Sequence, residues 1–175
     1  MYRSDVRARL EGSLDPGPSP TAGPGDRLAA VLLPLVEDRL VLTRRTEHLS
    51  RHPGEISFPG GLTHHEDRDL AATALRETQE ELGLAPVHTF VSSILIVPFV
   101  GMVSGNPVFE PSEAEIAEVL AYPVDELTAA ETTVEWPKDG HVYRGFAYPM
   151  RDGNTVWGAT AGILHQLLER LGSRS

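Results

Sequence analysis

Cysteine is absent from this chain of 175 residues. Disulfide bonds, thiolate catalysis and zinc sites built on sulfur are therefore excluded. Lysine is nearly absent too, since Lys138 is the one lysine among 15 basic residues. No long hydrophobic run is present: the most apolar stretch, Phe90 to Val103, is short and interrupted by Ser92, Ser93 and Pro98. The N-terminus interleaves Arg3, Asp5, Arg7, Arg9 and Glu11 and has no apolar core of the kind a signal peptide needs. A cytoplasmic protein is the expectation. With a formal net charge of −10, neither nucleic acid nor an anionic membrane is expected as a partner. No histidine pair shows zinc-ligand spacing with a third ligand.

What is present suits one globular domain, because 41% of the residues are apolar and can fill a core. A short helical segment at Ser4 to Leu10 leads into a proline- and glycine-dense stretch, Leu14 to Gly25. Residues 1–25 are thus expected to be an arm or linker, able to cover a sheet or reach a second subunit of a homodimer, and residues 26–175 the domain. Apolar runs at Leu28 to Val36 and Arg39 to Thr43, separated by Glu37-Asp38, predict a β-hairpin. Val87 to Val103 reads as one or two strands broken at Pro98, and Glu113 to Ala121 as a short helix or a strand entry. A hairpin around Lys138-Asp139-Gly140-His141, with Val142 to Pro149 after it, is expected to complete the sheet. Val156 to Leu171 predicts a strand end running into an amphipathic helix, capped by Thr160 or a neighbour. Ile163, Leu164, Leu167, Leu168 and Leu171 would face inward, and Trp157 is expected in the core with them.

The segment Gly60 to Leu84 carries the densest chemistry. Glu77, Glu80 and Glu81 are spaced i, i+3 and i+4, so on a helix they share one face behind the Gly60-Gly61 turn. Asp67 is expected as N-cap, Asp69 as a first-turn acid, and Gly83 as the C′ residue. Ala71, Ala74, Leu75 and Leu82 would form the opposite, packing face. Like charges so close repel, and a hard cation such as Mg²⁺ or Mn²⁺ would relieve them. On the glutamates by themselves, a solvated acidic face and a cation site are equally served. Just upstream, Arg44, Arg45 and Arg51, with His48 and His52, cluster in an otherwise acidic chain. Arginine's planar donors suit phosphate.

Arg76-Glu77-Thr78-Gln79-Glu80-Glu81-Leu82-Gly83-Leu84 resembles the second half of the Nudix box, with Thr78 at an apolar position. In the first half, Gly61 is followed after five residues by Asp67 instead of glutamate, and one extra residue precedes Arg76. The stretch from Val41 to Gly61 resembles the signature of the coenzyme A pyrophosphatase branch of that family through Arg45, Gly54 and Phe58-Pro59-Gly60-Gly61. Thr46 replaces its small Ser or Ala, and Ser50 stands where arginine is common, with Arg51 following. Trp157-Gly158-Ala159-Thr160-Ala161 is similar to an element that closes those domains, and Tyr122 to Leu127 to their turn into a small helix.

The resemblance implies an α/β fold, a Nudix-type α/β/α sandwich with a mixed β-sheet and a loop-helix-loop motif. It implies a metal-dependent hydrolase acting on a small-molecule diphosphate, coenzyme A or a derivative. Mg²⁺ or Mn²⁺ would sit on Glu77, Glu80 and Glu81 with the Gly61 carbonyl. Catalysis would involve Glu77, Glu80 and Arg76, the last orienting Glu77, with a base outside the box. Glu110, Glu113, Glu115 and Glu118 are the candidates for that base, and Glu115 is favoured because Glu115 to Val119 resembles a recurring family element. Arg45 and Arg51 would contact substrate phosphate, and Arg44 less so. The same hydrolysis on ADP-ribose or another nucleoside diphosphate derivative is the alternative. A nucleotide-sensing module without turnover is a third reading, disfavoured by the intact glutamates.

Overall fold

The computed structural model describes Val6 and residues 27–81, 94–103, 105, 107–138 and 141–172. The side chains of Leu75, Gln79, Glu80, Glu81, Ile94, Leu95 and Lys138 are outside that description. The Pro/Gly arm, the Gly83 cap, Leu82, the start of the Val87 strand and the Asp139-Gly140 turn also lie outside the described residues. Of the expected N-terminal helix only Val6 is described; it is helical and packs into the main core.

The predicted hairpin is β1 (Arg27–Val36) and β2 (Arg39–Arg45), turning at Glu37, which adopts φ 57°. The two strands pair at the tip, Leu35 opposite Leu40 and Val36 opposite Arg39, and then part. Into the gap come β3 (Ile56–Ser57), paired with β2, and β4 (Gly60–Leu62), paired with β1 at Ala29 to Val31. On its other edge β1 pairs in parallel with β5 (Ile94–Val103), and β2 pairs antiparallel with β6 (Ile116–Pro123). The result is one mixed six-stranded sheet.

Alternation along β1 assigns the two faces. Ala30 and Leu32, with Val97 and Phe99 of β5, pack against Ala74, Leu70 and Ala71 of helix α1 (Leu70–Glu81). Leu33 and Leu35 point the other way, into a larger core. A small helix α2 (Val124–Ala130) and the long helix α3 (Gly158–Gly172) border that core, α3 contributing Ile163, Leu164, Leu167, Leu168 and Leu171 as its sequence predicts. Each leucine so buried stabilises the fold by about 1.5–3 kcal/mol. The sheet thus lies between helical layers, an α/β sandwich.

Three expectations need correction. Pro98 does not break β5, which runs through it opposite Val31. Among the described residues β5 pairs only with β1, and an edge strand tolerates a proline whose missing N–H points outward. The hairpin of β7 (Thr132–Lys138) and β8 (His141–Pro149) does not complete the main sheet. With β9 (Thr155–Trp157) it forms a separate antiparallel sheet of three strands, leading directly into α3. The cap of α1 is Asp69, whose Oδ1 accepts the Ala72 N–H at 2.7 Å, and not Asp67.

Candidate active site

Asp67 is drawn away from capping by a stronger partner. Its carboxylate receives Arg76 in a two-pronged ion pair, Nε to Oδ1 at 2.9 Å and Nη2 to Oδ2 at 3.1 Å. The His64 N–H and the Thr73 hydroxyl also donate to Oδ2, at 2.8 and 2.9 Å. The Arg76 hydrogen bond chiefly, with those donors, holds the carboxyl of Asp67 far below the usual range despite burial. Reciprocally, the hydrogen bonds that Arg76 donates to Asp67, and less so to Glu77, raise the Arg76 pKa. Despite the extra residue between them in sequence, Asp67 and Arg76 thus meet.

Arg76 next grips Glu77, Nη1 to Oε1 at 2.8 Å, and reaches the Leu62 carbonyl at 3.3 Å. Glu77 is thereby fixed against β4. A Cβ added to Gly61 would stand 2.5 Å from the Glu77 Cδ, so glycine is required for this approach. The preceding residues explain the rest of the Phe-Pro-Gly-Gly run. Phe58 is buried in the main core, the Pro59 carbonyl accepts the Leu32 N–H at 2.7 Å, and Gly60 lies against the backbone of Ala30 and Val31. Thr78, at the motif's apolar position, is fully buried because its hydroxyl turns back to the Ala74 carbonyl at 2.6 Å. Glu80 and Glu81 follow on the same helix, with side chains outside the described residues.

Beside this cradle opens a cavity of about 250 Å³. Gly60, Gly61 and Leu62 form one wall, and Ala159, Thr160 and Ile163 at the start of α3 another. Arg45, His52, Glu55 and Ser57 line the side toward β2 and β3. The Arg45 Nε is buried without a hydrogen-bond partner among the described residues. A buried donor of this kind is costly and asks for an acceptor. His52, in a left-handed conformation with φ 54°, bonds Glu55 through Nδ1 at 2.8 Å.

The other expected site residues are dispersed. Arg51 is exposed in the β2–β3 loop and is not part of the cavity wall. Arg44 is engaged by Glu118 at 2.9 Å and by the Asn154 Oδ1 at 2.6 Å. Glu115 is exposed in the turn before β6, where its carbonyl accepts the Thr46 N–H at 2.9 Å. Sequence reasoning missed Glu55 and Ser57 as wall residues, because their placement depends on the parting of β1 and β2, and it missed Thr160, which reaches the wall from the start of α3. It also misplaced Trp157, which is 56% exposed.

Residues 25–146 match the NUDIX domain model. A protein of Pectobacterium atrosepticum named as the uncharacterized Nudix hydrolase NudL is 34% identical over 98% of this chain and 95% of its own length. The chain belongs to the Nudix hydrolase family. A NudL of Photorhabdus laumondii is 31% identical to this Nudix hydrolase, over 96% of the chain and 97% of the relative. Among solved structures, the MutT protein of Methanosarcina mazei Go1 shares the fold with a TM-score of 0.54 at 16% identity, covering 84% of this chain and 93% of that one. An ADP-ribose pyrophosphatase of Streptococcus suis does so with a TM-score of 0.50 at 20% identity, covering 85% and 92%. Among the described residues, no helix of the Nudix hydrolase is long and apolar enough to cross a membrane.

Proposed function

We propose that this Nudix hydrolase cleaves the diphosphate of coenzyme A or its derivatives, releasing 4′-phosphopantetheine, or its acyl form, and adenosine 3′,5′-bisphosphate. The observation that carries the reading is the buried Arg45 Nε, without a partner among the described residues, in the wall of a cavity that also exposes Gly61. Arg45 and the Phe58 to Gly61 run belong to the segment that resembles the coenzyme A branch, and they meet at this cavity beside Glu77.

The donor set fits a hard divalent cation. The Glu77 carboxylate is pinned against the Gly61 backbone in a space that a Cβ would fill, and Glu80 and Glu81 follow at i+3 and i+4. Glu77, Glu80, Glu81 and the Gly61 carbonyl would hold Mg²⁺ or Mn²⁺, which when bound would supply charge neutralisation at phosphorus and a more acidic water. The chain's own groups do the remainder. Arg76 fixes the orientation of Glu77 while Asp67 anchors Arg76. Arg45 offers its Nε to a phosphate oxygen. For proton removal, Glu118 is occupied by Arg44, whereas the carboxylate of Glu115 has no side-chain partner among the described residues. Glu115 is thus the proposed base and Arg51 an outer phosphate contact, both standing outside the cavity wall.

The test is turnover of coenzyme A, acetyl-coenzyme A, oxidised coenzyme A, ADP-ribose and NADH, with Mg²⁺ and with Mn²⁺. Product masses from ¹⁸O-labelled water would locate the attacked phosphorus. Preference for the coenzyme A compounds is expected, and a clear preference for ADP-ribose would defeat the assignment. Glu80→Gln or Glu81→Gln is expected to bind ligand without hydrolysing it.

A further inference from the structure

Trp157 stands where strand alternation turns it away from the core. Its neighbour Val156 is fully buried, so the next side chain along β9 faces outward, and the indole is 56% exposed. Opposite it in the register is Ala147, a small residue, and the next position on that face of β8 is Gly145, which lies under the ring of Trp136. The other tryptophan is differently placed: Trp136 stacks on Tyr143, centroids 6.2 Å apart and planes 18° from parallel, and its ring covers Gly145. No ring partner of Trp157 occurs among the described residues.

One residue, Gly158, separates Trp157 from Ala159 in the cavity wall, so their backbones are at most about 7 Å apart, although Trp157 is not itself a wall residue. β9 also packs against β3, whose Ser57 lines the same cavity. The cavity's own aromatic, Phe58, is 3% exposed and committed to the core. A substrate whose phosphates lie toward Arg45 and Gly61 would bring a flat base past the start of α3. We propose that Trp157 is the platform on which the adenine ring of the nucleotide half stacks, and so a specificity-determining residue. The proposal rests on the coenzyme A reading only for which adenine nucleotide is bound.

The test uses the full chain with Trp136→Phe, which leaves Trp157 as the sole indole of the two in the sequence. Saturable quenching of its fluorescence by adenosine 3′,5′-bisphosphate is expected. By calorimetry, Trp157→Ala should weaken binding of that nucleotide about tenfold, as loss of one base stack does, and Trp157→Phe should restore most of it. Affinity for inorganic pyrophosphate should not change. Absence of quenching, or an equal loss of pyrophosphate affinity, overturns the proposal. Turnover of coenzyme A in the same preparation separates the two ideas. Turnover without quenching removes the stacking role alone, whereas quenching without turnover removes the coenzyme A reading and leaves the stacking intact.

Discussion

At the residue scale, the ion pair of Asp67 and Arg76 determines where Glu77 can be. The Asp67 side chain is 7% exposed, so Asp67→Ala would strip the Arg76 guanidinium of its two-pronged partner, leaving it to Glu77, and lower stability by about 3 kcal/mol. Its pH dependence has a definite sign. The folded-state pKa lies below the ordinary 3.8, so the stabilisation is complete above that value and is lost as pH falls through the depressed one. Unfolding midpoints of wild type and Asp67→Asn, measured from pH 7 downward, should therefore converge in acid. Gly61→Ala is the complementary variant. Its methyl group would displace the Glu77 carboxylate and weaken Mn²⁺ binding about 10–100-fold, measurable by titration, with the fold retained. The sequence made the acids and the arginine legible but not their pairing. Asp67 and Asp69 are equally good caps on paper, and only the reach of Arg76 across the turn distinguishes them.

At the scale of elements, periodicity was readable wherever an element buries one face. The spacing of α3 names five core residues correctly because a helix packed on one side repeats its apolar positions. Leu164, fully buried there, should cost about 3 kcal/mol as Leu164→Ala, seen as a lower midpoint in urea with an unchanged slope. Asp69→Ala, by contrast, removes one cap and should cost about 1 kcal/mol. Pro98 and Trp157 were misread for a shared reason. Each was judged by residue type, whereas a proline's tolerance depends on which edge of the sheet is free, and a tryptophan's burial on which side of the strand it falls. Neither fact is local in sequence.

For the whole molecule, two apolar clusters, one under α1 and a larger one bordered by α3, hold the described fold together. Chelation with EDTA should accordingly abolish hydrolysis while the far-ultraviolet circular dichroism stays unchanged, and re-addition of Mg²⁺ should restore the rate. The three-stranded sheet was not foreseen as separate, because a hairpin's alternation is the same whichever sheet it joins. The hairpin that closes only at its tip has a wider meaning. Since β1 and β2 are each tied elsewhere, to β5 and β6, the segment inserted between them lines the cavity without being the scaffold's seam. Selection can rewrite that insert, lengthening or recharging it, and so retarget the enzyme to new leaving groups while the glutamate helix stays where it is.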